Sequence, residues 1–162
     1  MPVIPPPVLA VAAGTVQHVF APRWSPRAAR TLVAGAVLGA SFGLIGATLA
    51  SFRRVDTTVE PFDPGQATAL VTTGPNGLTR NPIYLGLAGV LTAHAIFRGG
   101  AATAFPVAGF IAAIDRLQIR PEESALAEVF GDAYAKYQQE VPRWVGISRL
   151  FGIRSGSVRT SR

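Results

Sequence analysis

Four apolar runs divide the chain, and polar segments separate them. The clearest run covers residues 31–52, which carry no charged side chain. At about 1.5 Å per residue a helix of this length covers about 33 Å, and the hydrocarbon core of a bilayer is about 30 Å thick. Residues 3–21, 82–97 and 101–119 form the other three runs. The pattern predicts a polytopic membrane bundle of about four transmembrane helices.

Glycines recur at helical spacing within the second run. Gly35, Gly39 and Gly43 are four residues apart, and Gly46 follows three residues later. A stripe of small residues lets a neighbouring helix approach closely. We therefore expect this glycine stripe to be a helix-packing face, either within one chain or between two copies in a homodimer.

The segment after residue 119 has a different pattern. From Pro121 onward, apolar residues recur at helical spacing among charged ones, which predicts an amphipathic cytoplasmic helix ending near residue 141. Residues 146–162 are rich in Gly, Ser and Arg, which predicts a flexible basic tail. The sequence thus predicts an all-α fold in which residues 1–145 form a single membrane domain.

Composition strengthens the membrane assignment. Hydrophobic residues make up 49% of the chain and charged residues only 15%, whereas soluble proteins contain about 25% charged residues. The net charge of +6 would suit nucleic acid, but the arginines lie between apolar runs, so we expect no nucleic-acid partner. The chain has no cysteine and two histidines, so we expect neither a disulfide nor a metal site.

The basic residues predict an orientation. Four spans would put residues 53–82 and the chain after residue 119 on one side of the membrane, and that side holds most of the arginines. The positive-inside rule makes it the cytoplasmic side, although Arg23, Arg27 and Arg30 lie opposite. We expect a protein of a bacterial inner membrane whose polar segments face the cytoplasm and contact membrane lipids.

Two polar stretches on that side bring charged and hydroxyl groups next to membrane helices. Arg80 and Tyr84 lie at the start of the third run, and Arg120, Glu122 and Glu123 follow the fourth. Ionisable groups at the end of a span are costly to desolvate, which makes them functional candidates. Together they could bind a charged ligand through guanidinium and carboxylate groups. Alternatively, they only pair with one another or with head groups at the interface.

Short motifs follow one another in a fixed order over residues 70–145. In chain order they are Gly74, Arg80-Asn81-Pro82-Ile83-Tyr84-Leu85-Gly86, Glu122-Glu123, Phe130-Gly131, Tyr134-Ala135-Lys136-Tyr137 and Val141-Pro142-Arg143. This ordered set resembles the isoprenylcysteine carboxyl methyltransferase and phospholipid methyltransferase family of membrane enzymes. Two positions depart from the family pattern, because Asn81 stands for His and Asn76 for Tyr. Asparagine keeps the hydrogen-bonding capacity but cannot act as an imidazole base.

The resemblance implies a methyltransferase that uses S-adenosylmethionine, bound between the start of helix three and the C-terminal helix. The implied cofactor-binding residues are Arg80, Asn81, Pro82, Tyr84, Leu85, Gly86, Glu122, Glu123, Tyr134 and Tyr137. The two tyrosines could instead be packing residues, since they recur at helical spacing.

A lipophilic acceptor at the interface between membrane and cytosol is implied as well. Arg120 and Glu123 are the candidate catalytic residues. Arg120 would hold a carboxylate of the acceptor or of the cofactor. A carboxylate acceptor needs no base for O-methylation, whereas an amine or phenol would need one, and Glu123 or Asp115 would then accept the proton.

Two other functions compete with methyl transfer. Membrane sterol reductases also bind a nucleotide cofactor near a tyrosine-rich C-terminal segment. Their cofactor is a nicotinamide nucleotide, and these enzymes are usually much longer than this chain. A non-catalytic scaffold subunit would account for the glycine stripe and for Asn81. No residue pattern identifies the acceptor, which could be a prenylated cysteine, a phospholipid amine or a quinone precursor.

Overall fold

The computed structural model describes residues 4–21, 27–54 and 69–145, and these form a helical bundle. Within these ranges no residue is in a strand, so the predicted all-α class is confirmed. The helices are α1 (Pro6–Phe20), α2 (Ala28–Arg53), α3 (Pro82–Arg98), α4 (Ala104–Ile114) and α5 (Arg120–Glu140). The predicted tail, residues 146–162, and the Arg23 end of the opposing arginine cluster lie outside the described residues.

Two helical stretches of the described chain are long and apolar enough to cross a membrane. One is α2, with 26 residues, and the other is the continuous stretch Ala101–Glu140, which begins with a 3-10 turn, Ala101–Thr103, and continues through α4. The other two predicted spans are shorter helices, 15 residues in α1 and 17 in α3. At about 1.5 Å per residue they measure about 22 and 26 Å, less than the hydrocarbon thickness of about 30 Å.

The exterior of the bundle is strongly apolar. Val11, Leu32 and Phe105 expose 70%, 75% and 77% of their surface. Side chains of α3, namely Tyr84 and Leu91, form the interior with Phe110 of α4. Large exposed apolar surfaces of this kind are typical of proteins that contact lipid or a partner.

The glycine stripe of α2 does not pack in the described part of the chain. A Cβ atom added at any of its four glycines would meet no described atom within 4 Å. Among the described residues the predicted packing face within one chain is therefore wrong. Instead, α2 buries Ala34, Ser41 and Thr48, which are seven residues apart. Gly86 of α3 meets this face, since a Cβ there would stand 3.1 Å from the Ser41 carbonyl and still closer to the Ile45 side chain.

Helix α4 continues into α5 through one widened turn. Residues Asp115–Ile119 form a π-helix, and the Arg120 N–H donates to the carbonyl of Asp115 across it. Pro121, which follows Arg120, has no N–H to donate, so the widened turn lies where the helical hydrogen-bond ladder is already interrupted. The sequence pattern suggested that the amphipathic helix is separate from the fourth apolar run. The structure instead joins the two into one continuous helical stretch.

A sharp kink divides α5 at Gly131. This residue has φ 49° and ψ −123°, a backbone conformation that glycine adopts without a steric penalty. The apolar spacing of Phe130, Tyr134 and Tyr137 predicted an unbroken helix, so the kink is a correction. It redirects the last two turns of α5 towards the start of α3, where their carbonyls contact Arg80.

A buried glutamine connects three helical segments at the far end of α3. The Gln17 side chain of α1 is fully buried and donates from Nε2 to the carbonyls of Leu91 and Thr103, both at 3.0 Å. Its Oε1 atom lies 2.8 Å from Nδ1 of His94. At the other end of α1, Gln118 donates to the carbonyl of Ile4. Helix α1 therefore runs parallel to α3.

Candidate functional site

The two polar stretches singled out in the sequence meet at one end of the bundle. Arg80 lies two residues before the start of α3, and its Nη2 atom lies 2.8 Å from Oε1 of Glu123, in the first turn of α5. One turn further along α3, the Tyr84 hydroxyl donates to Oε1 of Glu122 at 2.5 Å. Residues about forty positions apart thus contact each other directly.

Arginines from two segments saturate the Glu123 carboxylate. Arg143 approaches Oε2 to 2.5 Å while Arg80 binds Oε1, and side-chain exposure is only 10% for both Arg80 and Glu123. The Arg80 guanidinium also donates to the carbonyls of Gln138 and Val141. Charged groups this buried require partners of opposite charge. Glu123 therefore anchors the start of α3 to the end of α5.

Asp115 extends this ion pair into a charged cluster. Its Oδ1 lies 3.2 Å from Arg143, and its Oδ2 lies 3.3 Å from Nε of Arg120. The Arg120 side chain is 61% exposed. The predicted catalytic residue Arg120 is thus at the accessible edge of the cluster, whereas Glu123 is at its centre.

The two adjacent glutamates differ in the pKa of their carboxyl groups. Both follow Ile119, where the apolar part of the fourth run ends. Burial alone would raise the pKa of Glu123, but hydrogen bonds from Arg143 and Arg80 outweigh it and hold the pKa below its ordinary value. Burial raises the pKa of Glu122 to about 7, against an opposing hydrogen bond from Tyr84. Glu122 is thus better suited than Glu123 to exchange a proton near neutral pH.

Asn81 connects α3 to the chain that follows α5. Its Nδ2 donates to the carbonyl of Arg143 at 3.1 Å, and the Thr79 hydroxyl donates to the same carbonyl at 2.8 Å. The Arg80 N–H donates to the carbonyl of Pro142. These bonds hold residues 141–143 against the start of α3. Asn81 therefore has a structural role in this structure, and a histidine at this position would need a different geometry to donate the same hydrogen bond.

The remaining predicted cofactor residues of α3 differ in their surroundings. Pro82 is buried and begins the helix. Leu85 is half-buried, and its N–H donates to the carbonyl of Asn81. Gly86 faces α2 and provides the close approach described above. Pro82 and Gly86 therefore shape and pack the helix, while Arg80 and Tyr84 supply its polar groups.

Tyr134 and Tyr137, which follow the kink at Gly131, belong to a second small hydrophobic core. They expose 1% and 6% of their surface, and their rings are edge to face with centroids 6.0 Å apart. The Tyr137 hydroxyl donates to the carbonyl of Asn76 at 2.7 Å. Burial raises the pKa of Tyr134 to about 12. Both tyrosines thus make the packing contacts that their helical spacing predicts.

Two members of the charged cluster were not among the predicted site residues. Arg143 belongs to the Val-Pro-Arg motif noted in the sequence, and that motif was the signal that could have identified it. Asp115 was named only as an alternative base. Its carboxylate contacts Arg143, which lies 28 positions later in the sequence, and no periodic pattern predicts a contact between residues so far apart.

Comparison with known proteins finds a relative of this chain but no protein of known function. No family model and no solved structure matches the chain. A protein of Haemophilus influenzae, described as an uncharacterized protein, is 38% identical over 63 residues, which are its full length and 39% of this chain. That description names no activity, so the match establishes kinship alone. The chain belongs to the same family as this Haemophilus protein.

Proposed function

We propose that the protein is a membrane methyltransferase that transfers a methyl group from S-adenosylmethionine to a lipophilic acceptor. The observation that carries this proposal is the direct contact of residues 80–84 with residues 122–123 at one end of the bundle. The resemblance requires these two stretches to enclose one cofactor. If the two stretches had been far apart in the structure, the proposal would have had no basis.

The groups at this end of the bundle fit a cationic sulfonium nucleotide that also carries a carboxylate. Glu122 offers a carboxylate with one oxygen towards Tyr84, and the exposed Arg120 guanidinium offers donors to an anion. Asn76 is 4% exposed, and its Nδ2 has no hydrogen-bond partner among the described residues. A ligand atom or water at Asn76 would satisfy this donor.

When bound, the cofactor supplies an electrophilic methyl group. The chain's task is then to align the acceptor and exclude water, which needs few acid or base groups. A carboxylate acceptor arrives ionised and transfers no proton. For an amine or hydroxyl acceptor, Glu122 rather than Glu123 would take the proton, because only Glu122 has a pKa of about 7 and is not bonded to a guanidinium in the described chain.

The membrane arrangement belongs to the same proposal. In it α1 and α3 span a bilayer together with α2 and α4, with the charged cluster at the cytoplasmic face of a bacterial inner membrane. The short helices α1 and α3 cross with the help of neighbouring protein or local thinning of the bilayer. The apolar exterior supports this arrangement.

Calorimetry with the purified full-length protein in detergent tests the proposal. We expect S-adenosylmethionine or its demethylated product to bind, and Tyr84→Phe to weaken that affinity about tenfold. Thr92→Val is the matched control, since its hydroxyl bonds only the Ala88 carbonyl of the same helix. Equal affinity in Tyr84→Phe and Thr92→Val would remove the site assignment, and binding of a nicotinamide nucleotide instead would favour the reductase.

A scaffold function is the second candidate, and one observation favours it. Glu123, Arg80 and Asn81 are all bonded to the chain itself, as expected if the motifs only hold the bundle together. The same titration separates the candidates, because a scaffold binds neither nucleotide. A labelled methyl group found in a total lipid extract after incubation would exclude it.

A further inference from the structure

A cleft of about 780 Å³ opens on the side of the bundle between α1 and α3. Its wall is almost entirely apolar, with Val11 and Gly14 from α1, Phe42 from α2, and Leu87 and Val90 from α3. From Pro7 to Val19, the outermost α1 residues on the wall, the helix rises about 18 Å. Half of the hydrocarbon core is about 15 Å. One extended lipid chain from a single leaflet therefore fits along the cleft.

The polar side chains on the wall lie at the end far from the charged cluster. His94 is there, and its Nδ1 faces Oε1 of Gln17. Gln17 uses its Nε2 to donate to two carbonyls, so its Oε1 is an acceptor and His94 Nδ1 must carry the proton. The other nitrogen of the neutral ring, Nε2, is then an acceptor with no partner in the described part of the chain. It can take a hydroxyl hydrogen.

A guanidinium follows one helical turn beyond His94. Arg98 Nη2 lies 3.5 Å from the carbonyl of His18, and His18 is on the cleft wall. The Nε atom of Arg98 is buried and has no hydrogen-bond partner within the described ranges. A buried, unpartnered guanidinium N–H is costly. Arg98 does not itself line the cleft, but it contacts His18, which does, so an anion bound at this end of the cleft would lie beside a guanidinium.

We propose that the cleft binds a single-chain anionic phospholipid from the bilayer, with its hydrocarbon chain between α1 and α3. The order of groups along α3 supports this assignment: apolar Leu87 and Val90 come first, then His94, then Arg98. In a monoacylglycerol phosphate the order is the same, with chain, hydroxyl and phosphate. The proposal rests on the membrane arrangement above and is independent of methyl transfer, because this end of the bundle is the opposite one from the charged cluster.

Native mass spectrometry of the delipidated full-length protein tests the proposal with three lipids at about pH 8, where an imidazole is neutral. Palmitoyl lysophosphatidic acid carries chain, hydroxyl and phosphate. Hexadecyl phosphate lacks the hydroxyl, and monopalmitoylglycerol lacks the phosphate. We expect one lysophosphatidic acid per chain, bound about tenfold more tightly than either of the other two. Equal retention of all three lipids would overturn the proposal, since it would indicate unspecific lipid around the bundle.

Two pairs of variants locate the site. Val11→Trp should fill the cleft and abolish binding, while Val16→Trp, an exposed position on the same helix outside the cleft wall, should not. Arg98→Gln should lower affinity for lysophosphatidic acid about tenfold, while Arg116→Gln, which removes the same charge at the opposite end, should leave it unchanged. Undiminished binding in Val11→Trp would place the lipid elsewhere. Nucleotide calorimetry on the same samples tests methyl transfer separately.

Discussion

The two ends of α3 differ in how completely their polar groups are satisfied. At the start of the helix, Arg80 donates to Glu123 and to two carbonyls, and Glu123 accepts from two arginines. At the far end, Gln17 is fully used, but Arg98 keeps a buried N–H without a partner in the described chain. The first end is closed by protein and holds a fixed geometry. Among the described residues the second end, here called the open end, leaves this donor unsatisfied, as expected if a ligand completes it.

The largest effect should come from breaking the closed end. Glu123→Gln removes the negative charge between Arg80 and Arg143 and leaves the buried Arg80 without its counter-ion. We expect a loss of about 3 kcal/mol in the free energy of unfolding, measured by denaturing detergent titration. Glu128→Gln is the control, because Glu128 is exposed on the same helix. A loss no larger than that of the control would show that the cluster does not hold the bundle.

At the open end, Gln17→Leu should cost less. The variant removes the two hydrogen bonds to Leu91 and Thr103 and the contact with His94. Interhelical hydrogen bonds in membrane proteins contribute about 0.6 kcal/mol each on average, so we expect a loss of about 2 kcal/mol. Thr15→Val, which removes a hydroxyl bonded only to the Val11 carbonyl, is the matched control. A loss larger than that of Glu123→Gln would reverse the ranking of the two ends.

The closed end should also make stability depend on pH through Glu122. Its pKa rises from 4.5 to about 7 on folding, so between these values the folded protein binds more protons than the unfolded chain. Stability from this group is full below about pH 4.5 and falls as pH rises through about 7. We expect a decline of about 1 to 2 kcal/mol over this range, allowing for partial solvent exposure. The decline should disappear in Glu122→Gln, and its persistence there would assign it to another group.

The smallest effect should come from Tyr137→Phe, beside the cluster. The variant keeps the packed ring and loses only the hydrogen bond to the Asn76 carbonyl. We expect a loss of about 1 kcal/mol in the same titration. Tyr137→Leu, which also removes the ring contact with Tyr134, should cost clearly more. Equal losses in the two variants would mean that the ring packing contributes little.

The sequence pattern predicted the helices well, because apolar runs and helical spacing are local properties. It could not predict the kink at Gly131, since the spacing of Phe130, Tyr134 and Tyr137 continues unchanged across it. The π-turn before Pro121 was missed for a similar reason, because one extra residue in a turn leaves no compositional trace.

The contact between Arg80 and Glu123 could be predicted only through the order of motifs, since 43 positions separate them. The pairing of Gln17 with His94 had no such signal. The glycine stripe misled because spacing shows which glycines share a face but does not show what lies against that face. In the structure Gly86, on another helix, makes the close contact.

The contacts that join Arg80 and Glu123 to Pro142 and Arg143 have a consequence for biogenesis. Synthesis proceeds from the N-terminus, so α1 to α4 leave the ribosome before Pro142 and Arg143, which complete the bonds to Arg80 and Glu123. The charged cluster therefore assembles last, after the apolar helices have been made. A chain that ends before Arg143 would contain α1 to α5 but lack the Arg143 guanidinium that binds Glu123, so we expect it to be less stable than the full chain.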